Sequence, residues 1–142
     1  MSEPDKRSLR RIPLEALNEG KIDVIDEVVS PDYVEYSPLP GYAPTRDGLK
    51  SFIRDFRSAV PDLRYRVERE ISEGDFVVQH VTGSGTPQHE FLGLPATGKS
   101  ATWQEIHIVR LTGGKAVEHW GLVDMLGIML QLGALPGQAQ AA

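Results

Sequence analysis

Cysteine is missing from this 142-residue sequence. Its absence excludes disulfides, thiolate nucleophiles, cysteine zinc sites and iron–sulfur clusters together. An excess of positive charge is missing too, because the net charge is −5, so neither a nucleic-acid nor a membrane partner is expected. No apolar run approaches the roughly 20 residues of a membrane span, and the polar start MSEPDKRSLRR lacks the apolar core of a signal peptide. A cytoplasmic protein is expected.

The histidines do not form a metal-binding motif. His80, His89, His107 and His119 make neither an HExxH nor an HxH pair and fall on separate predicted strands or loops, so no metal site is predicted. No motif implies a cofactor. The composition, 40% apolar and 25% charged, is ordinary for a folded domain. We assign residues 1–134 to a single domain and 135–142 to a flexible C-terminal tail.

The first part of the chain is predicted to be helical. Apolar residues recur at helical spacing over 8–18, and a second, short helix over 23–30 ends before a proline. The segment DYVEYS at 32–37 is predicted to be extended. The proline-rich loop at 38–45 is expected to rim a cavity. A third, amphipathic helix follows over 45–60, with Thr45 or Asp47 as its N-cap.

The rest of the chain alternates between apolar and polar residues, as strands do. Strands are predicted at alternating residues from Leu63, at FVVQHVTGSGT, around 99–111 and at KAVEHWGLV, with TGGK as a tight hairpin turn. Helices followed by a mostly antiparallel meander indicate an α+β domain with the helices on one face of the sheet.

The segment from Trp103 to Gly133 contains many ionisable residues within otherwise apolar predicted strands. A buried polar group without a hydrogen-bond partner costs roughly 1–3 kcal/mol, so this density predicts a polar-lined cavity. The candidate residues of this segment are Trp103, Glu105, His107, His119, Trp120 and Asp124. The candidates expected to contribute from outside it are Tyr36, Phe56 and His80.

The hairpin register decides which of these side chains share a face of the sheet. A three-residue turn places His107 opposite His119 on one face. A two-residue turn instead pairs His107 with Trp120 and brings Asp124 onto the face of Trp103. A slip of one residue exchanges the two faces.

Each candidate also has a structural interpretation. His107 also fits a core histidine held by Glu105 or a backbone carbonyl, and His119 also fits a structural hydrogen-bond partner. Asp124 stands at a strand-to-helix junction, where aspartate commonly caps the helix. Tryptophans such as Trp103 and Trp120 more often pack than bind ligands.

Several motifs resemble one family. The loop EFLGLPATGK, the strand EIHIVRL, the Gly-Gly hairpin and the ending EHWGLVDMLGIMLQLG resemble SnoaL-like polyketide cyclases of the nuclear-transport-factor-2-like superfamily, over about Ser8 to Gly133. The resemblance implies a cone-shaped barrel, in which a curved, mostly antiparallel sheet is wrapped by N-terminal helices around a deep pocket. It also implies a homodimer paired through the opposite sheet face, where Val81, Ile106 and Ile108 are expected.

The resemblance also implies site residues. In the family's aldol cyclases, a histidine on the penultimate strand and an aspartate two residues beyond the last strand's histidine perform acid–base chemistry. His107 matches the histidine, whereas the aspartate position is Gly121. The next carboxylate is Asp124, so His107 and Asp124 are the catalytic candidates. The first register is preferred because it places His107 in the pocket.

Three functions remain open. The first is cofactor-independent acid–base chemistry, such as aldol cyclisation or isomerisation, on an apolar cyclic or polyketide-like molecule, with Glu105, His119 or Asp124 orienting His107. The second is binding of a small molecule without turnover, which Gly121 favours. The third is epoxide-hydrolase-like water activation, which ranks last because Arg110 alternates off the His107 face.

Overall fold

The described residues form four α-helices and one π-helical segment. The protein is described here by a computed structural model covering residues 2–135. Its helices are α1 (Ser2–Arg11), which continues into a π-helical segment (Ile12–Leu17), α2 (Val24–Val28), α3 (Arg46–Ala59) and α4 (Met125–Leu132). Thr45 is the N-cap of α3, since its Oγ1 accepts a hydrogen bond from the backbone N–H of Gly48 at 3.1 Å.

Five strands form one sheet. They are β1 (Val29–Glu35), β2 (Arg64–Glu73), β3 (Phe76–Gly85), β4 (Ala101–Thr112) and β5 (Lys115–Val123), in the order β1-β5-β4-β3-β2. Strands β2 to β5 are the predicted antiparallel meander. The predicted extended piece after α2 is a fifth strand, which pairs in parallel with β5 and places Glu35 beside His119. The sheet is therefore mixed.

The β4–β5 hairpin has a register that neither alternative anticipated. Gly113 and Gly114 form a two-residue turn with φ of 59° and 78°, as a type I′ turn requires. A β-bulge then adds Val117 to β5, because Arg110 pairs with Glu118 while the next residue of β4 pairs with Ala116. The bulge shifts the pairing by one residue.

The consequence of the bulge is that His107 pairs with Gly121, and neither His119 nor Trp120 lies opposite it. His107 and His119 nevertheless share one face of the sheet, as the preferred register required. This inner face carries Trp103, Glu105, His107 and His119. The outer face carries Ile106, Ile108 and Trp120.

The core lies between the inner face and the helices. One cluster joins α1, α2 and α3 to the sheet around Ile25 and Ile53, and a second surrounds Trp103 and packs against Leu132 of α4. Val81, expected on the outer face, is buried in the second cluster because it pairs with Glu105. The predicted α+β fold, a curved sheet covered by helices, is confirmed.

Two further predictions concern the ends and the helices of the chain. Of the tail predicted over 135–142, only Leu135 falls within the described residues. Among the helices of residues 2–135, none has the length and apolar character needed to cross a membrane.

Candidate functional site

A cavity of about 240 Å³ lies between the helices and the inner face of the sheet. Most of its wall is apolar and comes from α3, the 38–45 loop, the 86–100 loop and α4, with aromatic side chains Phe52, Phe56 and Phe91. Its polar side chains include Glu35, Ser37, Tyr65, Gln79, Glu105, His107 and His119. Within the described part of the chain, no lysine or arginine lines it. The cavity is thus apolar, with a cluster of hydroxyl, amide, imidazole and carboxyl groups on the sheet.

His107 is the centre of the polar cluster. Its Nε2 lies 2.8 Å from Oε1 of Glu105, two residues along the same strand and on the same face. Its Nδ1 lies 2.8 Å from Nε2 of His119 on β5. The two imidazoles are nearly parallel, with ring centroids 5.1 Å apart. Both ring nitrogens of His107 therefore have a partner.

Glu35 extends the cluster to the edge of the sheet. Its Oε2 lies 2.6 Å from Nδ1 of His119, which is possible because β1 and β5 pair in parallel at these two residues. The neighbouring Ser37 accepts a hydrogen bond from the backbone N–H of Gly121 at 3.0 Å. A continuous chain of contacts thus runs from Glu35 through His119 and His107 to Glu105.

Glu105 is buried, with 8% of its surface exposed. Its Oε2 accepts hydrogen bonds from the Tyr65 hydroxyl at 2.6 Å and from Nε1 of Trp103 at 2.7 Å. Burial is the largest influence on the pKa of Glu105 and raises it, but the hydrogen bonds from His107, Tyr65 and Trp103 outweigh burial and hold the pKa below its ordinary value. Glu105 is therefore an ionised carboxylate that orients His107.

Burial, followed by the charge of Glu105, raises the pKa of Tyr65 well above its ordinary value. Tyr65 therefore stays protonated and donates its hydroxyl proton to Glu105.

Five of the predicted pocket residues line the cavity. They are Phe56, Trp103, Glu105, His107 and His119. Four belong to the hairpin, and Phe56 of α3 faces them, with its ring centroid 6.3 Å from that of Trp103.

Three others do not line the cavity. Tyr36 stacks on Trp120 at the outer face, with ring centroids 4.7 Å apart, and its hydroxyl donates to Glu118 at 2.9 Å. His80 contacts the side chain of Gln104. The physical reason is the alternation of strand side chains: the inward positions next to these residues belong to Glu35, Gln79 and His119.

Asp124 also lies outside the cavity lining. It is exposed and is the N-cap of α4, since its Oδ1 accepts a hydrogen bond from the backbone N–H of Gly127 at 3.0 Å. Asp124 therefore acts as a helix cap in this structure. The hydrogen-bond partners of His107 are Glu105 and His119, and not Asp124.

Three residues of the cluster were missing from the sequence analysis: Glu35, Tyr65 and Gln79. Gln79 is buried, pairs with His107 across β3 and β4, and donates to Glu70 at 3.1 Å. Alternation along β2, with Tyr65 between Leu63 and Val67, was a signal for Tyr65. Glu35 had no comparable local signal, because its partner His119 lies 84 residues later in the chain.

Two other site types find little support. Within residues 2–135, no group of three or more histidine, aspartate or glutamate side chains is arranged to hold a metal ion. Arg110, which water activation of the epoxide-hydrolase kind would require, forms ion pairs with Glu118 and Asp75 and does not line the cavity.

The sequence matches the model of the family described as SnoaL-like polyketide cyclase over residues 7–132. It is 29% identical over 133 residues to aklanonic acid methyl ester cyclase DnrD of Streptomyces peucetius, with 88% of each chain covered. It is 28% identical over 122 residues to nogalonic acid methyl ester cyclase of Streptomyces nogalater, with 83% of this chain and 90% of the relative covered. The solved structure of TsrD from Streptomyces laurentii superposes with a TM-score of 0.85 at 32% identity, covering 95% of this chain and 99% of TsrD.

Proposed function

Because the chain belongs to the SnoaL-like polyketide cyclase family, we propose that it catalyses an acid–base ring closure on a neutral, largely apolar small molecule. The observation that carries this proposal is His107, held between Glu105 and His119 at 2.8 Å from each and facing an apolar cavity. The two hydrogen bonds fix the orientation of the imidazole, and an imidazole can both accept and donate a proton near neutral pH.

The proposed chemistry is an intramolecular aldol reaction. A histidine nitrogen removes a proton from the carbon next to a carbonyl, and the resulting enolate carbon attacks a second carbonyl of the same molecule. One carbon–carbon bond forms, the second carbonyl becomes an alkoxide, and the proton returns to that oxygen. Atoms and electrons balance without a co-reactant, so no cofactor is needed for this step.

The charge of the cavity supports a neutral substrate. Glu35 and Glu105 are the carboxylates in its lining, and no described lysine or arginine there offsets them. Even with one extra proton on His107 and His119, the lining is net negative, so a free carboxylate on the substrate would be repelled, whereas an ester would not. The names of two relatives specify methyl esters as substrates, and we extend this class to the present chain.

The test is turnover of aklanonic acid methyl ester and nogalonic acid methyl ester by the purified protein. Ring closure leaves the mass unchanged, so the product is identified by chromatography and NMR. We expect His107→Ala to lower the rate roughly 10²–10⁴-fold, as loss of a general acid or base does. The matched control is His80→Ala, which removes a histidine from the outer face and leaves the rate unchanged. Binding of both esters without turnover would contradict the proposal and favour a ligand-binding protein.

We also propose that the protein is a homodimer paired through the outer face. Ile106 pairs with Leu122 and Ile108 with Trp120 across the hairpin, so these side chains form one apolar patch. The exposed fractions are 40% for Ile106, 40% for Ile108 and 76% for Leu122. A second copy presents the same patch, so a two-fold contact covers both at once.

Sedimentation at micromolar concentration tests the dimer. We expect a dimer mass for the wild type and a monomer mass for Ile108→Lys, because the pairing would bury an unpartnered ammonium group. Leu126→Lys is the control, since it adds the same charge at an exposed apolar site on α4. A monomeric wild type would overturn this proposal.

A further inference from the structure

Glu35, His119, His107 and Glu105 form a row of four side chains joined by three short contacts. Glu35 lies 2.6 Å from His119, His119 lies 2.8 Å from His107, and His107 lies 2.8 Å from Glu105. Each of these distances is that of a hydrogen bond and therefore places one proton between the two atoms. Three protons are needed along the chain.

Counting protons shows that two neutral histidines do not suffice. A neutral imidazole carries one ring proton, so His107 and His119 would supply two. An ionised carboxylate accepts hydrogen bonds and supplies none. Either one carboxyl group is protonated, or the two histidines together carry a third ring proton and one positive charge.

The surroundings favour the third proton on the histidines. Glu105 accepts hydrogen bonds from both Tyr65 and Trp103 on its other oxygen, which stabilises the carboxylate and not the acid. Burial raises the pKa of Glu105, but the hydrogen bond and the charge of His107, followed by the hydrogen bonds of Tyr65 and Trp103, hold it below its ordinary value. Glu35 of β1 and the neutral Gln79 of β3 face the pair. Burial, followed by the charge of Glu35, raises the pKa of the neighbouring Tyr33, so its hydroxyl stays protonated. No described lysine or arginine of the cavity wall opposes a positive charge there.

Gly121 is the residue that allows the two imidazoles to meet. It pairs with His107 across the hairpin and lines the cavity. A Cβ atom at this position would lie 2.9 Å from Nδ1 of His107 and 3.1 Å from Nε2 of His119, the two nitrogens that form the hydrogen bond. Any side chain at 121 would force the rings apart, since carbon and nitrogen atoms in contact are normally separated by about 3.5 Å.

We propose that His107 and His119 act as a single acid–base unit that shares one extra proton, that Glu35 is a positioning residue for this unit, and that Gly121 is required for it to form. Glu35 fixes His119 with its Nδ1 protonated and its Nε2 directed at His107. The shared proton lies in the bond between the rings, beside the cavity. Donation of this proton to the carbonyl oxygen next to the reacting carbon leaves two neutral imidazoles. These remove the proton from that carbon, which restores the shared state and gives the enol, the protonated form of the enolate. When the enol carbon attacks the second carbonyl, the shared proton passes to the new alkoxide and the enol oxygen returns its proton to the unit.

This inference rests on the proposed function for its use in catalysis, but the proton count belongs to the free protein. NMR of the ¹⁵N-labelled imidazoles at neutral pH measures that count directly. We expect three ring protons for His107 and His119 together, with His80 and His89 as internal references outside the unit. A total of two would overturn the proposal, whatever the turnover. A total of three without turnover of any ester would leave the unit in place and overturn the proposed function instead.

Two variants test the assigned roles. Gly121→Ala separates the rings, so we expect the count to fall from three to two. If this variant does not fold, Glu35→Gln answers the same question, because the glutamine amide donates to Nδ1 of His119 and all three contacts are then satisfied with two ring protons. Glu118→Gln, next to His119 but on the other side of β5, is the matched control and should keep three. An unchanged count in Glu35→Gln would refute the role of Glu35.

Discussion

The two faces of the β4–β5 hairpin differ in how their side chains are satisfied. On the inner face, Glu105, His107 and His119 are linked to one another by hydrogen bonds. On the outer face, Ile106 and Ile108 are partly exposed and have no such network. Both sets come from alternate residues of the same strands. One short segment therefore builds a reactive lining and an apolar surface at once, and a one-residue shift would exchange them.

The inner face tolerates its polar groups because they are partnered. Throughout the described residues, no buried side-chain nitrogen or oxygen lacks a hydrogen-bond partner. Removing one inner group leaves others unpaired in a buried place, whereas removing an outer group leaves its neighbours, within one subunit, in contact with water. Equivalent substitutions on the two faces should therefore have unequal effects.

The two tryptophans give the sharpest comparison. Trp103 is 6% exposed and holds Glu105, while Trp120 is half-buried and stacks on Tyr36. We expect Trp103→Ala to lower the free energy of unfolding by roughly 3–5 kcal/mol, as for other buried aromatic residues. Trp120→Ala should lose about 0.5–1.5 kcal/mol from its aromatic pair, plus part of its burial. Denaturant unfolding measures both, and equal losses would contradict the distinction between the faces.

The same alternation explains what the sequence predicted and what it missed. Within the hairpin, Trp103, Glu105, His107 and His119 were assigned to one face, and they lie together. On the other strands the choice was one residue off: Tyr36 was selected where Glu35 lines the cavity, and His80 where Gln79 does. Local patterns identify a strand but not which of its faces meets the core.

Long-range pairing fixes that choice. Which residues of β1 face the cavity depends on its parallel pairing with β5 and on an irregularity between Val29 and Val34. The phase of β5 depends on the bulge at Val117, which no turn rule anticipated. The antiparallel meander and the order of the helices depend on local spacing and were predicted correctly, although the first helix begins at Ser2 and not at 8, and the second ends at Val28 and not at 30. The side chains that line the cavity were therefore predicted on the hairpin, apart from Trp120, and were missed on β1 and β3.

Glu105 should make the stability of the inner face depend on pH. Its pKa in the folded protein is lowered from the ordinary value of 4.5, so its contribution is present above that value and is lost as the pH falls through the lowered pKa. We expect Glu105→Gln to lose roughly 1–3 kcal/mol at neutral pH and to approach the wild type in acid. Unfolding free energies measured at several pH values test this.

Glu118 is the outer-face control for this experiment. A hydrogen bond from Arg110 lowers the pKa of Glu118 too, but this side chain is 21% exposed, so salt screens its charge more than that of the buried Glu105. About 1 M salt, with a Debye length of ~3 Å, should abolish the effect of Glu118→Gln and spare that of Glu105→Gln. Equal sensitivity of both variants to salt would show that Glu105 is not protected by burial.

Asp124 lies beyond the hairpin and belongs to neither face. Its substitution is therefore expected to change stability least. Its carboxylate caps α4 through Gly127, so Asp124→Ala should cost about 1 kcal/mol of stability, as loss of an N-cap does. Asp124→Asn should keep the stability of the wild type, because asparagine is as effective an N-cap as aspartate. A carboxylate that transfers protons tolerates neither change, since the amide cannot act as a base. Unfolding and turnover measured on both variants separate the two roles: wild-type turnover by Asp124→Asn is expected, and a large kinetic loss with intact stability would make Asp124 part of the chemistry.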